Sequence, residues 1–161
     1  MFKKIFLSAA LALASFSAMA ELPSVLLKDI DGKTVDTATL SNDGKPIVIS
    51  FFATWCKPCN RELKAIQEQY EDWQDETGVK VIAVSIDEGS EAQKVKPFVG
   101  RKGYEFQVLL DPNHDFKRAM GVNDIPHAFV VDGNGNITWS HQGYVDGGEA
   151  DVYEEVKKAC K

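Results

Sequence analysis

PIVISFFATWCKPCNRELKAIQEQY, residues Pro46–Tyr70, is the stretch from which the rest of the chain can be read. Ile47–Phe52 is an apolar run interrupted only by Ser50, the pattern of a central strand covered on both faces. Beyond it Leu63, Ile66, Tyr70 and Trp73 recur at helical spacing, and Gly78 is placed to end that helix. A buried strand therefore delivers Cys56 and Cys59 to the first turn of an amphipathic helix. Two thiols two residues apart at such a junction read as a redox site.

On the N-terminal side, Val25-Leu26-Leu27 and Lys33-Thr34-Val35 flank Asp31-Gly32 and predict a small hairpin, an added edge on the sheet. On the C-terminal side, Val79–Ile86 predicts a second buried strand. Glu91–Val99 reads as one helix that Pro97 limits late in its length. Phe106–Leu110 is a third strand, and Asp115–Met120 a short helix stopped by Gly121. Ile125-Pro126 then leads into a fourth strand, Ala128–Val131; Asp132–Asn136 (DGNGN) is a turn, and Ile137–Ser140 returns antiparallel. Glu149–Cys160 closes the chain as a helix that buries Val152, Val156 and Ala159. Strands alternating with helices and ending in a hairpin predict an α/β fold, a central mixed sheet flanked by helices.

Residues 1–20 stand apart. Lys3-Lys4 form a basic start, Ile5–Phe16 an apolar run short for a bilayer span, and Ala18-Met19-Ala20 a small-residue cleavage site. The sequence thus predicts a signal peptide over 1–20, one domain over 21–161, and a soluble, monomeric periplasmic protein. The 161-residue chain carries a net charge of −6, and loss of Lys3 and Lys4 makes it more acidic still. That balance argues against nucleic acid as a partner. Three cysteines, Cys56, Cys59 and Cys160, are too few for a disulfide scaffold. Zinc would need two more ligands, and His114, His127 and His141 are scattered without ligand spacing, so no metal or other cofactor is expected beyond the Cys56–Cys59 pair.

The chemistry follows from position. A thiol attacks disulfides as the thiolate, and Cys56, where strand meets helix, can face the unpaired N–H groups of the first turn. Lowering its pKa from ~8.5 to ~7 needs about 2 kcal/mol, which a helix terminus supplies in good geometry. Pro58 suits a first helical turn, where its missing N–H costs nothing. Cys59 is expected to be the more buried sulfur and to resolve the mixed disulfide. Glu62, three residues on, shares its face and is a candidate proton acceptor, although the spacing equally admits a surface acid favoured by the helix dipole. Trp55 lies beside the exposed sulfur. Pro126 precedes a buried strand; X-Pro bonds are mostly trans, but a cis bond here would present the backbone of Ile125 to an extended substrate.

FFATWCKPC, the helix after it and the later Ile125-Pro126 resemble the thioredoxin superfamily. The N-terminal hairpin, the A-T-W-C-x-P-C form and the long interval from Cys56 to Pro126 narrow the resemblance to exported TlpA/ResA-like thiol–disulfide oxidoreductases. The resemblance implies a thioredoxin-like fold with a strand and helix inserted within Val79–Gly103. It also implies Cys56 as attacking thiolate, Cys59 as resolving thiol, Glu62 as functional acid and a cis Pro126 facing the pair. Trp55, Pro58, Ile125 and Pro126 are the candidate substrate contacts. The buried aspartate of ordinary thioredoxins is replaced here by Ser50. The implied function is reduction of protein disulfides, in cytochrome c maturation or thiol repair, with electrons returning from a membrane donor. The alternatives are a copper metallochaperone, which uses a C-x-x-x-C pair, and a thiol peroxidase, whose P-x-x-x-T-x-x-C arrangement Thr54 does not match. His127, where a small polar residue is common, is expected to be solvated, and Cys160 to be an inert free thiol.

Overall fold

The computed structural model describes residues 20–160. The segment read as an export signal lies outside the described residues, except Ala20. In chain order the elements are β1 (Ala20–Glu21), β2 (Leu26–Asp29), β3 (Thr34–Asp36), β4 (Ile47–Phe52), α1 (Lys57–Thr77) and β5 (Lys80–Ser85). There follow α2 (Gly89–Ala92), α3 (Val95–Lys102), β6 (Gln107–Leu110), α4 (Asp115–Ala119), β7 (His127–Val131), β8 (Asn136–Gln142) and α5 (Glu149–Ala159). The strands form one mixed sheet in the order β1-β8-β7-β4-β5-β6-β2-β3. β4, β5 and β6 run parallel to their neighbours in that trio, while β7 lies antiparallel beside β4 and β8 antiparallel beside β7.

Every residue of β4 is buried, and adjacent side chains reach opposite layers. The Ser50 hydroxyl meets α1 through Glu62, whereas the Phe51 ring lies 5.4 Å from that of Phe116 in α4. Helices therefore cover both faces of the sheet, which is why a strand with no polar alternation is stable here. α1 buries Cys59, Glu62, Leu63, Ile66, Tyr70 and Trp73 along one stripe, each large apolar member contributing roughly 1.5–3 kcal/mol. Gly78 caps it in the left-handed conformation at φ 68°, and its N–H returns to the Gln74 carbonyl at 2.7 Å.

Two features differ from the sequence reading. The helix expected over Glu91–Val99 is two short helices, and Pro97 lies in the first turn of α3, where a missing N–H leaves no broken bond, instead of limiting a helix late in its length. The insertion expected within Val79–Gly103 extends further: its helices α2 and α3 fall inside that range, but its strand is β6, Gln107–Leu110. β6 serves as the platform for the N-terminal hairpin, since β2 pairs with it at Lys28↔Leu110 and Asp29↔Leu109.

Candidate active site

β4 and β5 are parallel and end together, Phe52 opposite Ser85; β7 is antiparallel to β4 and starts at that same end, His127 opposite Phe51. Three segments consequently share one end of the sheet: Ala53–Cys59 after β4, Ile86-Asp87 after β5, and Ile125-Pro126 before β7.

Cys56 is the N-cap of α1, with extended backbone angles (φ −83°, ψ 104°), and its sulfur accepts from the Cys59 N–H at 3.3 Å. The thiol position thus faces the amide end of the helix, the arrangement that favours a thiolate. Pro58 lies in the first turn and Lys57 is exposed. Cys56 and Cys59 are joined as a disulfide, with Cα atoms 5.3 Å apart. Cys59 has no exposed surface and Cys56 is 5 % exposed, so Cys56 is the nearer of the two to solvent. Trp55 stands beside them with 65 % of its surface in solvent.

Glu62 is a buried acid and not a surface one. It is 2 % exposed, and the Ser50 hydroxyl donates to its Oε1 at 2.8 Å. Burial pushes its carboxyl from 4.5 up to about 7; the Ser50 hydrogen bond pulls the other way, and the charge of Glu149 adds to the rise. A carboxyl that exchanges its proton near neutrality, on the helix that carries Cys59, has the property required of a general acid–base group.

The Ile125–Pro126 bond is cis. Pro126 is buried, Ile125 is half-buried, and the Pro126 carbonyl accepts from Gly143 N at 2.7 Å. His127 is not solvated as expected. It is half-buried and stacked on Phe129 with ring centroids 4.5 Å apart, its Nδ1 has no hydrogen-bond partner, and burial lowers its pKa, with His141 pushing the same way. Cys160, the free cysteine among the described residues, is exposed; what burial its thiol has raises its pKa, and the thiol donates to the Val156 carbonyl at 3.3 Å. Among the described residues no group of three His, Cys, Asp or Glu side chains could hold a metal ion, and no helix is long and apolar enough to cross a membrane.

Sequence reading missed Thr54, Asn60 and Asp87. Asp87 is 1 % exposed and accepts from Thr54, while Asn60 Nδ2 donates to the Thr54 carbonyl at 3.0 Å. The only signal was an acid directly after the apolar run VIAVSI, which by itself says nothing of what it would touch.

A sheet of this topology with a C-x-x-C pair capping the helix after its central strand and a cis-proline at the adjoining strand defines a thioredoxin-like protein. The chain belongs to the AhpC/TSA family, which residues 19–140 match. It is 34% identical over 117 residues to the thiol-disulfide oxidoreductase ResA of Bacillus thuringiensis (strain Al Hakam), covering 73% of this chain and 65% of that protein. The chain thus spans a little under two thirds of the length of that curated relative. A thioredoxin-like protein from Porphyromonas gingivalis, solved in solution, is 63% identical, with a TM-score of 0.78 over 86% of this chain and 91% of that one. StoA from Bacillus subtilis shares the fold at 23% identity, with a TM-score of 0.64 over 83% of this chain and 97% of that one.

Proposed function

We propose that this chain is an exported thiol–disulfide oxidoreductase that reduces disulfides in other proteins. The observation that carries the reading is the position of Cys56: the N-cap of α1, the more exposed member of the pair, with its partner Cys59 fully buried one turn later. The name printed for the ResA relative supports the reaction class. The basic, apolar and A-x-A features of residues 1–20 support export.

With the pair reduced, the Cys56 thiolate attacks one sulfur of a substrate disulfide. That S–S bond breaks as the mixed disulfide forms, and the second substrate sulfur leaves as a thiolate that takes up a proton. Cys59 passes its proton to Glu62 and attacks the Cys56 sulfur. The mixed disulfide breaks, the remaining substrate sulfur departs and is protonated, and the Cys56–Cys59 bond closes. Two electrons move from the pair to the substrate, whose two sulfurs gain one proton relayed from Cys59 through Glu62 and one from solvent, where the Cys56 proton went on ionisation, with no cofactor beyond the pair itself. An extended substrate segment lies across Trp55, Pro58, Ile125 and Pro126. The substrates are proteins with accessible cysteine pairs, such as apocytochrome c before haem attachment or mispaired periplasmic proteins, and a membrane donor restores the dithiol.

Neither alternative gains from the site. The pair lacks the additional residue of the copper-binding C-x-x-x-C form, and Thr54 stands two residues before Cys56, not three. Equilibration of the Cys56–Cys59 pair with thiol–disulfide buffers tests the direction of transfer. A potential close to thioredoxin's, about −270 mV, is expected; one close to the periplasmic oxidant's, about −120 mV, would reverse the reading from reductase to oxidase.

A further inference from the structure

Asp87 is a buried acid that the exchange steps above do not use. It follows β5, is 1 % exposed, and makes no salt bridge among the described residues. Both of its oxygens are occupied. Oδ1 accepts from the Thr54 hydroxyl at 2.6 Å, and Oδ2 accepts from the Thr54 N–H at 2.9 Å and from the Ser85 hydroxyl at 2.7 Å. Ser85 Oγ in turn accepts from the Asp87 N–H at 3.1 Å, which locks the carboxylate's own orientation.

Thr54 opens the turn that presents Cys56. The Cys56 N–H closes that turn on the Ala53 carbonyl at 3.1 Å, and Asn60, one helical turn along α1, holds the Thr54 carbonyl through its Nδ2. Thr54 is thus gripped at its N–H and hydroxyl by the β5 side and at its carbonyl by α1. A buried acid facing only neutral donors is an unfavourable component of a core unless its position matters. In the oxidised protein the Cys56–Cys59 bond also ties the turn to α1. When that bond is opened the covalent tie is gone, and only noncovalent contacts keep the Cys56 sulfur over the first-turn amides.

From this geometry we infer that Asp87 is a positioning residue for thiol–disulfide exchange: acting through Thr54, it holds the Cys56 turn in the reduced protein so that the thiolate stays at the N-cap of α1. The assignment rests on the oxidoreductase reading above. It does not place Asp87 in contact with substrate or with either sulfur.

The decisive substitution is Thr54→Val, which removes the hydroxyl bond, keeps the volume and the N–H bond, and alters no charge. A changed thiol titration in this variant therefore reports geometry and not the fields of Lys57, Glu62, Asp87 or His127. In the reduced protein, the rate of Cys56 alkylation by iodoacetamide is followed against pH. Thr54→Val is expected to raise the midpoint by about half to one pH unit and to slow insulin-disulfide reduction roughly three- to tenfold at neutral pH. Thr54→Ser, which restores the hydroxyl, should return both to wild type. Asp87→Asn, which leaves one oxygen to accept and sets an amide donor against Thr54 or Ser85, should also slow reduction, and with Thr54→Val added the loss should be smaller than the two separate losses combined, because both substitutions act on the Thr54–Asp87 contacts. Should Asp87→Asn not fold, the two Thr54 variants decide the matter alone. An alkylation profile unmoved in Thr54→Val, or slow in Thr54→Ser as well, would overturn the assignment even if the melting temperature falls. Wild-type protein that reduces no disulfide would refute the oxidoreductase reading itself, an outcome separate from an active wild type with unaffected variants.

Discussion

Glu62 shows how burial converts an ordinary side chain into a titrating one. In water its carboxyl would lose its proton near 4.5, but in the folded chain it does so at about 7, because desolvation outweighs the Ser50 hydrogen bond. The folded state therefore binds more protons than the unfolded state between these values. Stability contributed by this group is intact below about pH 4.5, declines as pH rises to 7 and is lost above it, a fall of roughly 3 kcal/mol. Glu62→Gln should abolish that decline, with denaturant midpoints at acidic and alkaline pH closer together than in wild type. If Glu62 takes the Cys59 proton as proposed, the same substitution should slow resolution of the mixed disulfide by about tenfold or more. A variant with the wild-type slope of stability against pH would return Glu62 to an ordinary acid. Ser50 occupies the neighbouring strand position and donates to the carboxyl, so the strand supports the acid on α1 and does not supply one.

At the level of elements, close backbone approach decides one loop pair. The turn Asp132–Asn136 is built on the Asp132 carboxylate, whose Oδ1 accepts from the N–H groups of Asn134 and Asn136, both at 2.9 Å. Inside it, a Cβ on Gly133 would come within 2.0 Å of the Gly44 carbonyl oxygen, a backbone atom with no side-chain freedom to yield. Gly133→Ala should therefore destabilise the protein by about 1–3 kcal/mol, read from the denaturant midpoint, while thiol reactivity is unchanged because the turn lies at the opposite end of β7 from Pro126. An alanine variant as stable as wild type would mean that the two loops separate without cost. The α2–α3–β6 segment adds a strand beyond β5 and lets the N-terminal hairpin extend the sheet without touching the strands that carry the site.

For the whole molecule, the question is what the site meets. On the proposed mechanism Cys59→Ser leaves the attacking thiol in place and removes the group that frees it, so mixed disulfides with partners should accumulate in cells and be lost when Cys56 is also changed to Ser. If no adducts form, or if they persist without Cys56, the division of labour between the two sulfurs is wrong. The captured proteins would distinguish apocytochrome c cysteines from damaged or mispaired thiols. Trp55, exposed beside a nearly buried sulfur pair, is the surface on which such partners would first bear.

Local pattern carried much of this molecule. An apolar strand, two cysteines at a helix start and helical spacing beyond them are short-range features, and each appears where the sequence places it: β4, the Cys56 N-cap and α1. Pro97 was misread because a proline within an apolar period looks the same at the end of one helix or in the first turn of the next; only the break between α2 and α3 separates the cases. The state of Glu62 was equally beyond local reading, since surface and buried acids share the same i, i+3 spacing, and desolvation depends on what the sheet lays over them. Asp87 and Thr54 are 33 residues apart, joined by the parallel pairing of β4 and β5. The cysteine pair and its place at a helix start were determined by the sequence. The protonation and positioning of the residues around it were decided by the tertiary structure, because electrostatic environment and hydrogen-bond partners arise only when distant strands end at the same edge.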